Sequence, residues 1–251
     1  MTTATLIALV VAGLGAGIAD GIAGGGGLIT VPALLASGLP PHLALGTNKA
    51  QSMWGTLAAL VTFWRAGRVD ARAAVRNFPL AFAGSMLGVT LVLHLAPGAL
   101  RPVVIALLIV AAVLMLLRKP SRDEDALHPR YLWIAAALSL GIGCYDGFFG
   151  PGTGTFLIVG FIVLCGRSIS GATADAKVVN FASNVAAAGS FAVAGKVVWS
   201  IALPMAVAQL VGGFIGARLA IYRGAILVRT MVLVVSSTLV LKLGYDLLSG
   251  W

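Results

Sequence analysis

With 251 residues, 59% of them hydrophobic and only 10% charged, the chain lacks the polar surface of a water-exposed globule, which normally carries about a quarter charged residues. The net charge of +9 comes from 17 Lys and Arg scattered between apolar runs, so it points to positive charge held on the cytoplasmic side of a membrane rather than to a nucleic-acid surface. The apolar stretches are long and lack period-2 alternation, so the expected fold is all-α, a polytopic helical membrane protein rather than a β-barrel.

In chain order, ten apolar segments can be drawn: 4–19, 28–39, 50–64, 78–95, 102–117, 131–145, 155–165, 178–195, 197–217 and 225–241. The chain begins Met-Thr-Thr-Ala-Thr, without the basic stretch of a secretory signal, so the first segment is expected to belong to the mature protein. A full crossing needs about 20 residues, and segments 28–39 and 155–165 are too short to cross unaided. Each follows a glycine-rich interruption: Asp20-Gly-Ile-Ala-Gly24-Gly-Gly-Gly27 before the first, Asp146-Gly-Phe-Phe-Gly150-Pro-Gly152-Thr-Gly154 before the second. Glycine weakens a helix interior by about 1 kcal/mol relative to alanine. Both short segments are therefore expected to be glycine-broken half-helices or re-entrant hairpins. Non-helical backbone at membrane depth is tolerated where it is buried in protein or lines a polar cavity, and a matched pair of breaks points to a transport site.

The two breaks belong to a duplication. Asp20 and Asp146 match at an offset of 126, Gly27 and Gly154 at 127, and Lys49 and Lys177 at 128. That last offset also relates Phe63 to Phe191, Gly67 to Gly195, Gly84 and Gly88 to Gly212 and Gly216, and Arg101 to Arg229. The expected organisation is a first transmembrane repeat over 1–117, a cytoplasmic connecting loop over 118–130 and a second repeat over 131–251, with about five segments in each. Arg65, Arg68, Arg72 and Arg76 mark one basic loop, Arg118, Lys119, Arg122 and Arg130 the connecting loop, and Arg218, Arg223 and Arg229 a third. The equivalent of the first loop in the second half carries only Lys196, and that of the third in the first half carries only His94 and Arg101. Basic loops that swap between equivalent positions predict inverted repeats, with both termini outside. Gly13/Gly17, Gly84/Gly88 and Gly212/Gly216 have the spacing of close helix-packing faces, and Trp64, Tyr131, Trp199 and Tyr222 that of an interfacial aromatic belt.

Lys49 and Lys177 occupy equivalent positions just before long apolar segments. Each could snorkel to an interface. Their neighbours Thr47, Asn48, Ser52, Asn180 and Asn184 offer instead a set of hydrogen-bonding groups suited, with two ammonium ions, to a small oxyanion. The breaks at Gly24, Gly25, Gly26, Gly27, Gly150, Gly152 and Gly154 add backbone N–H groups at helix N-termini, which favour anions. Asp20 and Asp146 precede the breaks, and two readings stand for them: a proton carrier, as intramembrane acids commonly are, or a structural group that caps N–H donors or pairs with a lysine. Asp175 is expected in a loop beside Lys177, with no role beyond pairing. Cys144 and Cys165 read as packing residues, no metal spacing or catalytic set emerges, and no cofactor is expected. No GxxxxGK[ST] motif is present for ATP.

The Gly24–Gly27 run with Thr47-Asn48-Lys49, and its repeat at Gly150–Gly154 with Lys177 and Asn180, resemble the TauE/SafE sulfite exporter family, across essentially the whole chain. The resemblance implies a multi-pass carrier of the cell inner membrane for sulfite, a sulfonate or a related sulfur oxyanion, driven by a proton or sodium gradient. The second half departs from the first, with Pro151 and Thr153 among its glycines and Ala176 in place of the Asn48 equivalent. The expected function is thus secondary transport of a small anion by alternating access, in contact with lipid, with homo-oligomer formation left open. The alternative is an anion channel with the paired breaks as its filter. A membrane enzyme is disfavoured by the lack of a catalytic set.

Overall fold

A computed structural model describes residues 2–96 and 124–248, with side chains described up to Arg223 and at Thr230. The described residues form eight helices and no strand: α1 (Thr3–Ala23), α2 (Gly27–Ala36), α3 (Pro41–Arg65), α4 (Ala71–His94), α5 (Tyr131–Phe148), α6 (Thr153–Val163), α7 (Ile169–Val193) and α8 (Trp199–Leu248). Among the described residues four stretches are long and apolar enough to cross a bilayer: Thr3–Ala23, Ala71–Leu93, Tyr131–Phe148 and Trp199–Arg223. At 10 and 11 residues, α2 and α6 rise about 15 Å, half the hydrocarbon thickness. The expected segment 102–117 and the basic cluster Arg118–Arg122 lie outside the described residues.

The structure moves three boundaries. Helix α3 starts at Pro41 and α7 at Ile169, so Lys49 and Lys177 lie inside long helices rather than ahead of them. Asp175 likewise sits within α7, not in a loop. Hydropathy missed the first turns because Thr47-Asn48-Lys49 and Thr173-Ala-Asp175-Ala-Lys177 are polar, while Pro41 at the first turn of α3 and the Ser168 hydroxyl capping the Gly171 N–H favour helix there. The third difference is α8, which runs unbroken through the loop expected at Arg218–Arg229. Between Ala217 and Leu243 there is no proline, and Gly224 stands without a second turn residue beside it to reverse the chain.

Glycines set how the helices meet. At Gly13 a Cβ would lie 3.3 Å from the Met205 carbonyl, and at Gly17 it would lie 2.6 Å from that of Gln209. At Gly21 it would lie 2.6 Å from the Ala217 amide, so α1 and α8 run side by side in the same chain direction. In the other half, Gly143 packs on Ala81 and Gly147 on Ser85, with Gly84 and Gly88 against Leu140, Cys144 and Phe148, so α4 and α5 also run in parallel. The first helix of each half therefore packs on the fourth helix of the other. Helices α3 and α7 cross between these pairs.

The two ends of the bundle differ in charge. At one end Arg65 and Arg218 line a shared groove between α3 and α8, and the Arg76 guanidinium lies 5.8 Å from the Tyr131 ring centre. Arg167 belongs to this end too, joining Asp175 and Asp125 at 2.8 Å each, while the Ser168 N–H donates to Asp125 at 2.6 Å. Partial burial works to raise the Asp125 carboxyl, but the Ser168 donors and Arg167 more than offset it and hold it below the usual carboxylate range. At the other end the His42 ring meets the Val92 carbonyl at 3.0 Å, Thr47 accepts from the Val198 N–H at 3.0 Å, and the exposed Lys196 is the cation. Trp64 and Trp199 are exposed near helix ends, and Tyr222 is exposed within α8. Cys165 is buried and Cys144 packs against α4, both as free thiols.

Candidate functional site

Each break places a carboxylate and a helix start at the centre of the bundle. Helix α1 ends where Gly24 turns left-handed at φ 75°, and the Gly26 N–H at the head of α2 donates to Asp20 Oδ1 at 2.7 Å. An internal carboxylate thus occupies the helix N-terminus where a bound anion was expected. The Gln209 side-chain amide of α8 adds a second donor, 3.3 Å from Asp20 Oδ2 and 3.3 Å from the Ser52 hydroxyl. In the second break Gly150 and Gly152 take φ 98° and 84°. There Thr153 replaces the capping backbone amide: its hydroxyl donates to Asp146 Oδ1 at 2.7 Å. The Ser183 hydroxyl of α7 donates to Asp146 Oδ2.

The lysines meet the acids crosswise. Lys49 Nζ of the first half donates to Asp146 Oδ1 at 2.6 Å and to Asn184 Oδ1 at 3.2 Å. Lys177 Nζ of the second half donates to the backbone carbonyl of Asp20. Their relative exposures of 2% and 1% rule out snorkelling for either side chain. The amide side chains complete the lining. Asn48 Oδ1 accepts from Thr30 and from Gln51 at 3.1 Å, and Asn184 donates to Asn180 Oδ1 at 3.0 Å.

These groups line a partly open cavity of about 10 Å³, room for one water-sized body, formed by residues of both breaks and of α3 and α7. Of the residues singled out in the sequence, Asp20, Gly24, Gly27, Asn48, Lys49, Ser52, Asp146, Gly150, Asn180 and Asn184 line it. Gly25, Gly26, Gly152, Gly154 and Lys177 stand behind that lining, and Gly24 and Gly154 touch backbone to backbone. Thr47 faces away, holding the head of α8 at the Lys196 end. Three further polar contributors are Thr153, Ser183 and Gln209. Thr153 was legible as the departure from the first glycine run, and Gln209 as an isolated amide in an apolar segment. Ser183, a small residue in a run of them, gave no such signal.

Paired helix breaks around buried lysines, in a bundle of membrane-crossing helices, can be set beside known proteins. The profile of the sulfite exporters TauE/SafE matches residues 9–243, both halves of the chain. The chain belongs to the TauE/SafE family. Within it, a probable membrane transporter of Sinorhizobium, ORF9, is 38% identical over 240 residues, covering 95% of this chain and 92% of the relative. The probable membrane transporter YfcA of Escherichia coli K12 is 39% identical over 233 residues, 92% of this chain and 86% of its own. A probable membrane transporter of Haemophilus influenzae is 39% identical over 241 residues, 95% and 93% of the two chains. No solved structure matches the chain. This TauE/SafE protein is thus a multi-pass membrane transporter, and the family is one of transporters rather than enzymes.

Proposed function

We propose that the protein is a secondary carrier of a small sulfur oxyanion, sulfite or a sulfonate, working by alternating access. The observation that carries this reading is Lys49, an ammonium 2% exposed at the meeting point of both breaks. A polyatomic oxyanion is larger than the cavity of about 10 Å³, so its entry requires the breaks to move apart. That requirement favours a carrier over a channel, whose filter must stay continuous. Lys49 supplies charge, Asn48, Ser52, Asn180 and Asn184 supply hydrogen bonds, and Asp20 and Asp146 are the candidates for proton coupling. Purified protein screened against sulfite, sulfate, thiosulfate, sulfoacetate and taurine tests the reading. A ligand at about 100 times its dissociation constant stabilises the folded state by about 2.7 kcal/mol. A panel that leaves the melting transition unmoved throughout contradicts a sulfur-anion site.

The repeats are inverted in this reading. What supports it is direction: α4 runs away from the Arg76 end and α8 toward the Arg218 end, so α5 and α1, parallel to them, point oppositely. By the charge bias of cytoplasmic loops, the arginine end faces the cytoplasm of an inner membrane and the N-terminus lies outside. A cysteine replacing Lys196 is expected to react with an impermeant thiol reagent added to intact cells, and one replacing Arg72 only after permeabilisation. The reverse pattern contradicts the orientation.

A further inference from the structure

The two acids of the site differ in a way that their equivalent positions conceal. Asp20 accepts from a backbone N–H, Gly26, which can never become an acceptor, and from the Gln209 amide nitrogen. Asp146 accepts from two hydroxyls and an ammonium. Each hydroxyl has a second acceptor at hand: Thr153 Oγ1 lies 2.6 Å from the Gly150 carbonyl, and Ser183 Oγ lies 3.1 Å from the Asn180 carbonyl. A hydroxyl that turns its hydrogen to the backbone offers a lone pair in its place. A neutral Asp146 can then donate its own O–H to Thr153 or Ser183 with no heavy atom displaced. Asp20 has no such alternative in Gly26, and the Gln209 Oε1, without a partner among the described residues, would reach it only if the whole amide turned over.

Resting on the anion-carrier reading above, we propose that the Asp146 carboxylate is the resident occupant of the anion site. A proton that neutralises it frees Lys49 for the substrate, one proton for each monovalent anion carried. Charge balance leads the same way. Lys49 with ionised Asp146 is neutral, and Lys49 with a monoanion and protonated Asp146 is neutral again. The anion added without the proton would leave a net charge of −1 in a site removed from water, an arrangement that low-dielectric surroundings penalise. The proton comes from water on the side where the site opens, and it leaves with the anion when the carboxylate returns to Lys49 on the other side.

The charged and titratable surroundings of Asp146 are few. From α3 there is Lys49, from α7 Lys177, from α1 Asp20, and on its own helix Tyr145, whose hydroxyl donates to the Pro151 carbonyl. Helix α4 contributes only Arg72, Arg76 and His94 near its ends, and α6 has no ionisable side chain. Lys177 donates to the backbone carbonyl of Asp20 rather than to its carboxylate, and so ties α7 to the end of α1. Among the described residues the Lys49–Asp146 ion pair therefore has no carboxylate counterpart at Lys177.

Binding of methanesulfonate and isethionate, monoanions across pH 5–9, tests the proposal on purified protein. Wild-type affinity is expected to rise as the pH is lowered, by up to about tenfold per unit, the limit for one proton taken up with each anion. Asp146→Asn is expected to bind at least as tightly as the wild type at its best, without pH dependence. A pH-independent wild type, or an Asp146→Asn variant with the slope intact, overturns the proposal and leaves the carrier reading standing. Failure of the wild type to bind either anion at any pH defeats both. Should Asp146→Asn not fold, wild-type proteoliposomes decide: uptake must be driven by an inward proton gradient and be indifferent to an imposed potassium diffusion potential. Uptake that follows the potential overturns one-to-one coupling.

Discussion

Lys49→Met is expected to lower the stability of the detergent-solubilised protein by about 3–5 kcal/mol, because it leaves the buried Asp146 carboxylate without its counter-charge. The pair is held at 2.6 Å with both side chains 2% exposed, so water cannot take the place of the missing ammonium. Lys49→Met/Asp146→Asn should recover most of the loss, since breaking one partner of a buried pair is costly while removing both is often nearly neutral. Neither variant is expected to bind a sulfur oxyanion. Asp146→Asn alone should be destabilised in buffer and restored by added anion, which takes up the place of the carboxylate on Lys49. Equilibrium or thermal unfolding of the three proteins, with and without anion, checks this pattern. A stable Lys49→Met that still binds anion would remove Lys49 from the site.

Gly24→Leu should abolish transport. Gly24 has φ 75°, where an L-residue costs about 1–2 kcal/mol. Its missing Cβ also points straight at the Cα of Gly154, so a side chain must drive the two breaks apart, an overpacking cost of about 1–3 kcal/mol more. Gly38→Leu is the control: φ is 92° there, yet nothing lies within 4 Å of the added Cβ, so it carries the backbone strain without the wedge. Transport assays on both variants separate the effects. Equal activity would show that contact between the breaks is dispensable.

The helix breaks were legible because glycine acts locally. A run such as Gly24–Gly27 weakens helix from within, and a second glycine-rich run stands at Gly150–Gly154. The acids and lysines were legible as isolated charges in apolar sequence. Their pairing was not. Lys49 and Asp146 are 97 residues apart, and nothing in periodicity states that each lysine crosses to the acid of the other half. The same limit hid Ser183, a small side chain among alanines, and made Asp175 look like a loop residue when it is a helical partner of Arg167. Hydropathy also cut α3 and α7 short at their polar first turns, where the site lies. Thr47, two residues from Lys49 in sequence, lies on another face of α3, where its hydroxyl accepts from the Val198 N–H.

Counterflow tests the central claim most directly. Proteoliposomes containing the purified protein are loaded with an unlabelled sulfur oxyanion that stabilises it, diluted, and given a trace of the labelled anion outside. A carrier that alternates around Lys49 must accumulate the label transiently above its equilibrium level, with saturation, and the Lys49→Met/Asp146→Asn protein must not. Label that only equilibrates, accompanied by large unitary currents in planar bilayers, would contradict alternating access and identify a channel.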